Sequence, residues 1–124
     1  MSRNVLYAVA ASLLAIVAGA AHAQTWPTKP ITLVVTYPAG GGADTMARLI
    51  APKLGEALGQ PVIIENKPGA SGQIGASAVA KAAPDGYTLM LDASSFAVNP
   101  ALFPRLPYDS DKAFRPVGVI ALFP

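Results

Sequence analysis

Cysteine is absent from the 124 residues, and histidine occurs once, at His22. Without thiols there is neither a disulfide framework nor a thiolate site for a metal or a nucleophile. A lone histidine excludes a multi-histidine metal centre. Charge is sparse, at 13% of residues, and the basic side chains fall singly instead of in runs or stripes. That pattern lacks the electrostatic footprint needed to hold a nucleic-acid backbone. Lysine is missing where the one glycine-rich stretch leads into a helix, since Gly40-Gly-Gly42 continues as Ala43-Asp44-Thr45. A phosphate-binding P-loop requires Gly-Lys-Ser/Thr there, and a dinucleotide fingerprint requires glycine at the position of Thr45. No cofactor and no metal are therefore expected.

Long apolar runs are confined to the start. Arg3 precedes an uninterrupted apolar segment, Leu6 to Ala20, and Ala21-His22-Ala23 has the small-x-small form cut by signal peptidase. The segment is short for a membrane span, and no stop-transfer charges follow it. Residues 1–23 are expected to be a signal peptide cleaved after Ala23, so His22 leaves with it and no histidine-based triad remains. The remaining 101 residues of the 124 suffice for one small core. Nine basic residues less Arg3 leave eight against seven acidic ones, a near balance. An exported domain without disulfides must rely on hydrophobic burial, which suits a bacterial periplasm.

Ile31-Thr-Leu-Val-Val35 is short, β-branched and nearly all apolar, as strands covered on both faces are. From Asp44 to Leu58, Met46, Leu49, Ile50, Leu54, Ala57 and Leu58 recur at three- and four-residue intervals, so the pattern predicts an amphipathic helix that Gly59 terminates. Pro52 inside it removes a backbone donor and predicts a kink or break. Pro61–Glu65 repeats the buried-strand pattern. Gly75–Ala83 reads as a second helix halted before Pro84, and Tyr87–Leu91 as a third strand. Asp92–Pro100 reads as a polar loop, and Val117–Leu122 as a fourth strand. Trp26 is expected to cover a core edge. This alternation makes an α/β fold with an open parallel sheet and helices on both faces.

Ligands of such sheets collect outside the carboxyl ends of the strands. The loops expected there hold Tyr37, Ala39, Gly40, Gly41, Gly42 and Asp44, then Ser71 and Gly72, then Ser94 and Ser95: bare amides and small hydroxyls without a catalytic base. At the first loop the unpaired amides and the dipole of a helix start attract an anion, the dipole by about 0.3–1 kcal/mol and each hydrogen bond to a charged group by about 1.5–3 kcal/mol. One glycine would be read as easing a tight turn; three in succession weight the reading towards close approach of a carboxylate or phosphate. Asp44 reads either as the helix N-cap or as a partner for a ligand amine or hydroxyl. Tyr37 reads either as a pocket wall or as packing beneath the loop. Ser94 and Ser95 either cap the following turn or touch ligand.

Together, Trp26-Pro-Thr-Lys-Pro-Ile31, Tyr37-Pro-Ala-Gly-Gly-Gly-Ala-Asp44, Ala51-Pro-Lys-Leu54, Leu58-Gly-Gln-Pro-Val62, Glu65-Asn-Lys-Pro-Gly-Ala-Ser-Gly72, Val79-Ala-Lys-Ala-Ala-Pro-Asp-Gly-Tyr-Thr-Leu89, Asn99-Pro100 and Leu106-Pro-Tyr-Asp109 resemble the start of the Bug-type substrate-binding proteins of tripartite tricarboxylate transporters. The resemblance implies an extracytoplasmic receptor of two α/β lobes, with a ligand cleft between them and membrane permease subunits as partners. Its ligands would be small carboxylates, amino acids or aromatic acids. The loop Tyr37–Asp44 would hold a ligand carboxylate through its amides, partly by way of ordered water. Ala70–Gly72 and Ser94–Ser95 would complete this lobe's side of the pocket. Family members are longer, so the resemblance also implies that residues 24–124 correspond to an N-terminal portion of the first lobe, without the second. Such a piece is expected to be marginally stable, with an apolar sheet edge exposed. The competing reading from another class is an exported α/β enzyme binding a phosphate or carboxylate at Gly40–Gly42. With Asp44 and Asp92 as its only placed carboxylates, it lacks a base near neutral pKa. A third is an interaction module acting through an open sheet edge.

Overall fold

A computed structural model describes residues 25–122; the expected signal peptide and its cleavage point lie outside the described residues. Three parallel strands, β1 (Ile31–Val35), β2 (Val62–Asn66) and β3 (Thr88–Leu91), form a sheet of order β2-β1-β3. The first strand is central, and its side chains are nearly all buried. Helix α1 (Gly42–Leu58) links β1 to β2, and α2 (Gln73–Ala80) lies between β2 and β3. A third helix, α3 (Ser94–Leu102), follows β3 directly.

Strand alternation decides which helix covers which face. Leu33 and Val35 point to one side, where they pack with Ala47 of α1 and with Leu91 to make the core. Thr36 points to the other, where α2 approaches so closely that a Cβ at Gly75 would stand 2.8 Å from the Lys67 carbonyl oxygen and 3.0 Å from Thr36 Cγ2. Helices therefore occupy both faces of the sheet. Order β2-β1-β3 also reverses the winding direction at the β1/β3 boundary, and the loops leaving these two strands diverge there. The register Val35↔Asn66 and Val35↔Leu91 ends all three strands at one level, so their loops emerge side by side.

Several details correct the expectations from sequence. Helix α1 runs unbroken through Pro52, which is exposed and inside the helix. Gly59 ends it in the left-handed region at φ 69°. Strand β2 alternates half-buried and exposed positions, because it is an edge strand covered only on the α1 side; Ile63 is 51% exposed. The polar loop expected over Asp92–Pro100 is mostly α3, whose start is capped by the Asp92 carboxylate accepting the Phe96 N–H at 2.8 Å. The fourth strand expected at Val117–Leu122 does not form: this segment pairs with no strand, and Val117 is 88% exposed. Trp26 packs over Gly86 and Tyr87 and donates its indole N–H to the Asp85 carbonyl, pinning the turn before β3 while remaining half exposed.

Candidate ligand-binding site

Three loops meet beyond the carboxyl ends of the strands. After β1 the chain turns at Gly40, with φ 82°, and enters α1, whose N-cap is Gly41 and not Asp44. The Gly41 N–H reaches back to the Pro38 carbonyl at 3.3 Å, and the Gly40 N–H is accepted by Asp44 Oδ2 at 2.8 Å. Among the described residues the N–H groups of Gly42, Ala43 and Asp44 have no acceptor, the first helical bond being Thr45 N–H to Gly41. Ala39, Gly40 and Gly42 are exposed, and a Cβ on Gly40 or Gly42 would meet nothing within 4 Å. Packing therefore does not require glycine at either position. Gly40 has a backbone reason, its positive φ; Gly42 has none.

Asp44 serves this corner from beneath. Its side chain is 2% exposed, and its carboxylate accepts from Gly40 N–H, from Arg48 Nε at 2.9 Å and from Asn66 Nδ2 at 3.0 Å. Hydrogen bonding to the Arg48 guanidinium, then to the Gly40 amide and Asn66, holds its carboxyl far below the ordinary carboxylate range. Arg48 offsets the charge that Asp44 places near the helix start, and Asn66 ties that loop to the end of β2 by donating to the Tyr37 carbonyl as well. The second loop carries four successive residues with positive φ, Gly69 (118°), Ala70 (48°), Ser71 (54°) and Gly72 (82°). Two of them are not glycine, an expensive conformation that concentrates at ligand sites. The Ser71 carbonyl accepts from Asn99 Nδ2 at 2.8 Å, so buried Asn99 of α3 holds this loop in place. Gly72 lies against the third loop, since a Cβ there would sit 2.8 Å from Ser95 Oγ.

Between β1 and β3 runs a chain of side-chain hydrogen bonds. Tyr37 donates its hydroxyl to Ser95 Oγ at 3.2 Å, and Ser95 donates to both oxygens of Asp92, each at 2.8 Å. Thr36 also donates to Asp92. The tyrosine ring meanwhile packs against the core, so Tyr37 joins core, first loop and third loop. Ser94 is exposed and makes no side-chain hydrogen bond among the described residues. The structure thus brings Tyr37, Gly72 and Ser95 together. It sets Gly40, Gly41 and Gly42 at the start of α1 with Asp44 behind them, and leaves Ala39, Ser71 and Ser94 on the exposed rim.

The sequence of the chain agrees with this geometry. The profile of the tripartite tricarboxylate transporter family receptor matches residues 46–124. The chain belongs to this receptor family. A UPF0065 protein of Bordetella bronchiseptica is 48% identical over 113 residues, which make up 90% of this chain and 34% of that protein. The periplasmic binding protein BugD matches at 40% identity and a TM-score of 0.72, covering 75% of this chain and 31% of BugD. MatC from Rhodopseudomonas palustris with bound malate matches at 46% identity and a TM-score of 0.70, over 74% of this chain and 32% of MatC. Another R. palustris protein, with adipate, matches at 42% identity and a TM-score of 0.65, over 69% of this chain and 29% of that one. The chain spans about a third of the length of the relatives it matches. Receptors of this family are periplasmic binding proteins, so the open corner belongs to a fold used for solute capture.

The sequence reading missed the residues that hold this frame. Arg48 was legible as a partner four residues after Asp44 on one helix face. Asn66 and Asn99 carried no such signal, because each acts on a loop distant in sequence. Thr36 and Asp92 are the residues next after two strands, and their pairing follows only from the strand order.

Proposed function

We propose that residues 24–124 supply the amide-lined face of a periplasmic receptor site that captures a small carboxylate for a tripartite tricarboxylate transporter, with residues 1–23 as the export signal cleaved after Ala23. One observation carries this reading: the N–H groups of Gly42 and Ala43 stand unpaired at an open corner, with that of buried Asp44 behind them, where a glycine is kept without any demand from the fold. A carboxylate there would take two or three charge-assisted hydrogen bonds together with the favourable end of the helix dipole. MatC with malate and the adipate-bound R. palustris protein support an acid ligand of this size, since both share the fold and over 40% of the matched residues. Gly40 and Gly41 shape the turn, Asp44 fixes it, and Tyr37, Ala39, Ser71, Gly72, Ser94 and Ser95 border the ligand. Amino acids and aromatic acids fit the same amides through their carboxyl groups. The permease of the transporter is the expected partner. An enzymatic role has no comparable support, because the loops offer donors and no base poised for proton transfer.

The test is an amide-resolved NMR titration of the exported protein with malate, adipate and chloride as control. Movement of the Gly42, Ala43 and Asp44 amide signals with either acid, and not with chloride, is the expected result. Unmoved signals at millimolar acid would refute the reading. Intact mass of the exported protein checks cleavage after Ala23.

A further inference from the structure

Strand β2 forms one edge of the sheet, and its backbone direction can be read from the bonds at its two ends. Ile31 donates its N–H to the Pro61 carbonyl, and Lys67 donates its own to the Val35 carbonyl. In a parallel pair each residue turns both backbone groups to one side, and successive residues alternate. Pro61, Ile63, Glu65 and Lys67 therefore face β1, while Val62, Ile64 and Asn66 turn their N–H and C=O groups outward, where no strand pairs with them among the described residues. Beside this edge α1 leaves a cavity of about 480 Å³, lined by Arg48, Pro52 and Gly55 of the helix and by Val62 and Ile64 of the strand. Helix and strand converge at one end, where a Cβ on Gly55 would stand 3.6 Å from the Val62 nitrogen. Arg48 marks the other end, with Nη2 3.5 Å from Asn66 Oδ1. Its guanidinium is the accessible half of its ion pair, 57% exposed against 2% for Asp44. Glu65 has a counterion of its own in Lys67, at 2.9 Å.

We infer that this groove docks an extended, acid-bearing segment of a partner protein, which adds to β2 as a further strand, antiparallel to it, with a carboxylate near the segment's N-terminus against Arg48. An open edge rich in valine and isoleucine either pairs with something or has to be blunted, and neither lysine nor proline interrupts Val62–Asn66. Backbone bonds to Val62 and Ile64 hold the added strand, and the side chains that alternate along it enter the cavity. Antiparallel pairing is the more stable per residue. It places the start of the segment at Asn66, where the exposed charge stands, so Arg48 fixes both direction and register. The chain's own strand-like stretch, Val117–Leu122, contains no acidic residue to meet that charge, which makes a second copy of this chain the poorer occupant.

The probe is a blocked peptide, Asp-Val-Thr-Val-Thr-Val, titrated into the exported protein while amide hydrogen exchange is followed by NMR. Exchange at the outward amides of Val62 and Ile64 is expected to slow by about tenfold, the factor for gaining roughly one hydrogen bond, and by more than at Ile63 and Glu65, which β1 already holds. N-methylating the peptide's ladder nitrogens is expected to abolish this protection. Asparagine in place of the peptide's aspartate, or the aspartate moved to the far end, is expected to weaken binding by about two- to fivefold, as for an exposed ion pair. Arg48→Gln is expected to make the acidic and neutral peptides bind alike. No protection at millimolar peptide, equal slowing at all four amides, or survival of binding after N-methylation overturns the inference. So does indifference of the unaltered protein to the charge or to its position, or a preference for the acid that persists in Arg48→Gln. Val62 and Ile64 amides already protected without peptide, in a chain that sediments as a dimer, would assign the edge to a second copy and overturn it as well.

Discussion

Gly42→Ala separates the two reasons a glycine can have at a helix start. Gly42 is the first residue of α1, its φ is not positive, and a methyl group there meets no heavy atom within 4 Å. Folding alone therefore predicts a gain. Restricting the unfolded chain by Gly→Ala at a compatible position stabilises by about 0.4–1 kcal/mol, which for a domain of this size raises the melting temperature by about 2–8 °C. Binding predicts a loss. The added methyl stands where an anion must approach to within about 2.9 Å of the amide nitrogens, and forfeiting one charge-assisted hydrogen bond, about 1.5–3 kcal/mol, weakens affinity by about ten- to a hundred-fold. Circular-dichroism melting and calorimetric titration with malate read the two effects on one sample. A variant that melts higher and binds as before would show that the glycine is not kept for ligand. One that melts lower would show that the corner is more crowded than its geometry states.

Other positions give signs of their own. Ala70 is exposed at φ 48°, so Ala70→Gly removes left-handed strain and is expected to stabilise by about 1 kcal/mol, seen as a higher urea midpoint. Asn99→Ala removes the buried donor to the Ser71 carbonyl and is expected to cost about 1–3 kcal/mol by the same measurement, with faster hydrogen exchange at Ser71 and Gly72. Because the folded-state pKa of Asp44 is depressed, its contribution is complete above the unfolded carboxyl value of about 4 and is lost as pH falls from there towards the folded value. The urea midpoint of Asp44→Asn should accordingly fall less between pH 5 and pH 2.5 than that of the unaltered protein. An equal fall in both would remove Asp44 as a source of acid sensitivity.

The parts legible in the sequence were those written in local pattern. The β-branched run at Ile31–Val35, the apolar spacing through Leu58 and the stop at Gly59 encode β1 and α1 within a few residues of one another, so no long-range information was needed. Reading β2 as buried on both faces failed because an apolar run records composition, while edge position depends on strand order. Asp92–Pro100 reads as a loop because Pro100 and four polar residues outweigh a short helical stretch. The helix start is supported by Asp92, whose carboxylate accepts the Phe96 N–H and is itself held by Thr36 from the end of β1. Val117–Leu122 has strand composition, yet composition supplies no partner, and the outer edge of β3 is not used by it. At the site the glycines announced themselves; the groups that hold them did not.

Those groups have a shared logic. Each of the three loops is tied to a neighbour by one buried or half-buried polar side chain: Asp44 reaches Asn66 at the end of β2, Asp92 takes the Thr36 proton from the end of β1, and Asn99 holds the Ser71 carbonyl. A backbone frame that binds through amides has no side chain with which to adjust its reach, so its affinity depends on where the peptide planes already point. Glycine-rich loops are the least able to hold such a pose by themselves, since their unfolded alternatives are the most numerous. The cross-loop ties supply the rigidity that the glycines lack, and they do so with acceptors turned away from the open corner. This accounts for two aspartates lying close to the proposed acid site. Arg48 offsets the one beneath the amides, and three donors, the hydroxyls of Thr36 and Ser95 and the Phe96 N–H, occupy the other, so neither presents a bare charge at the open corner.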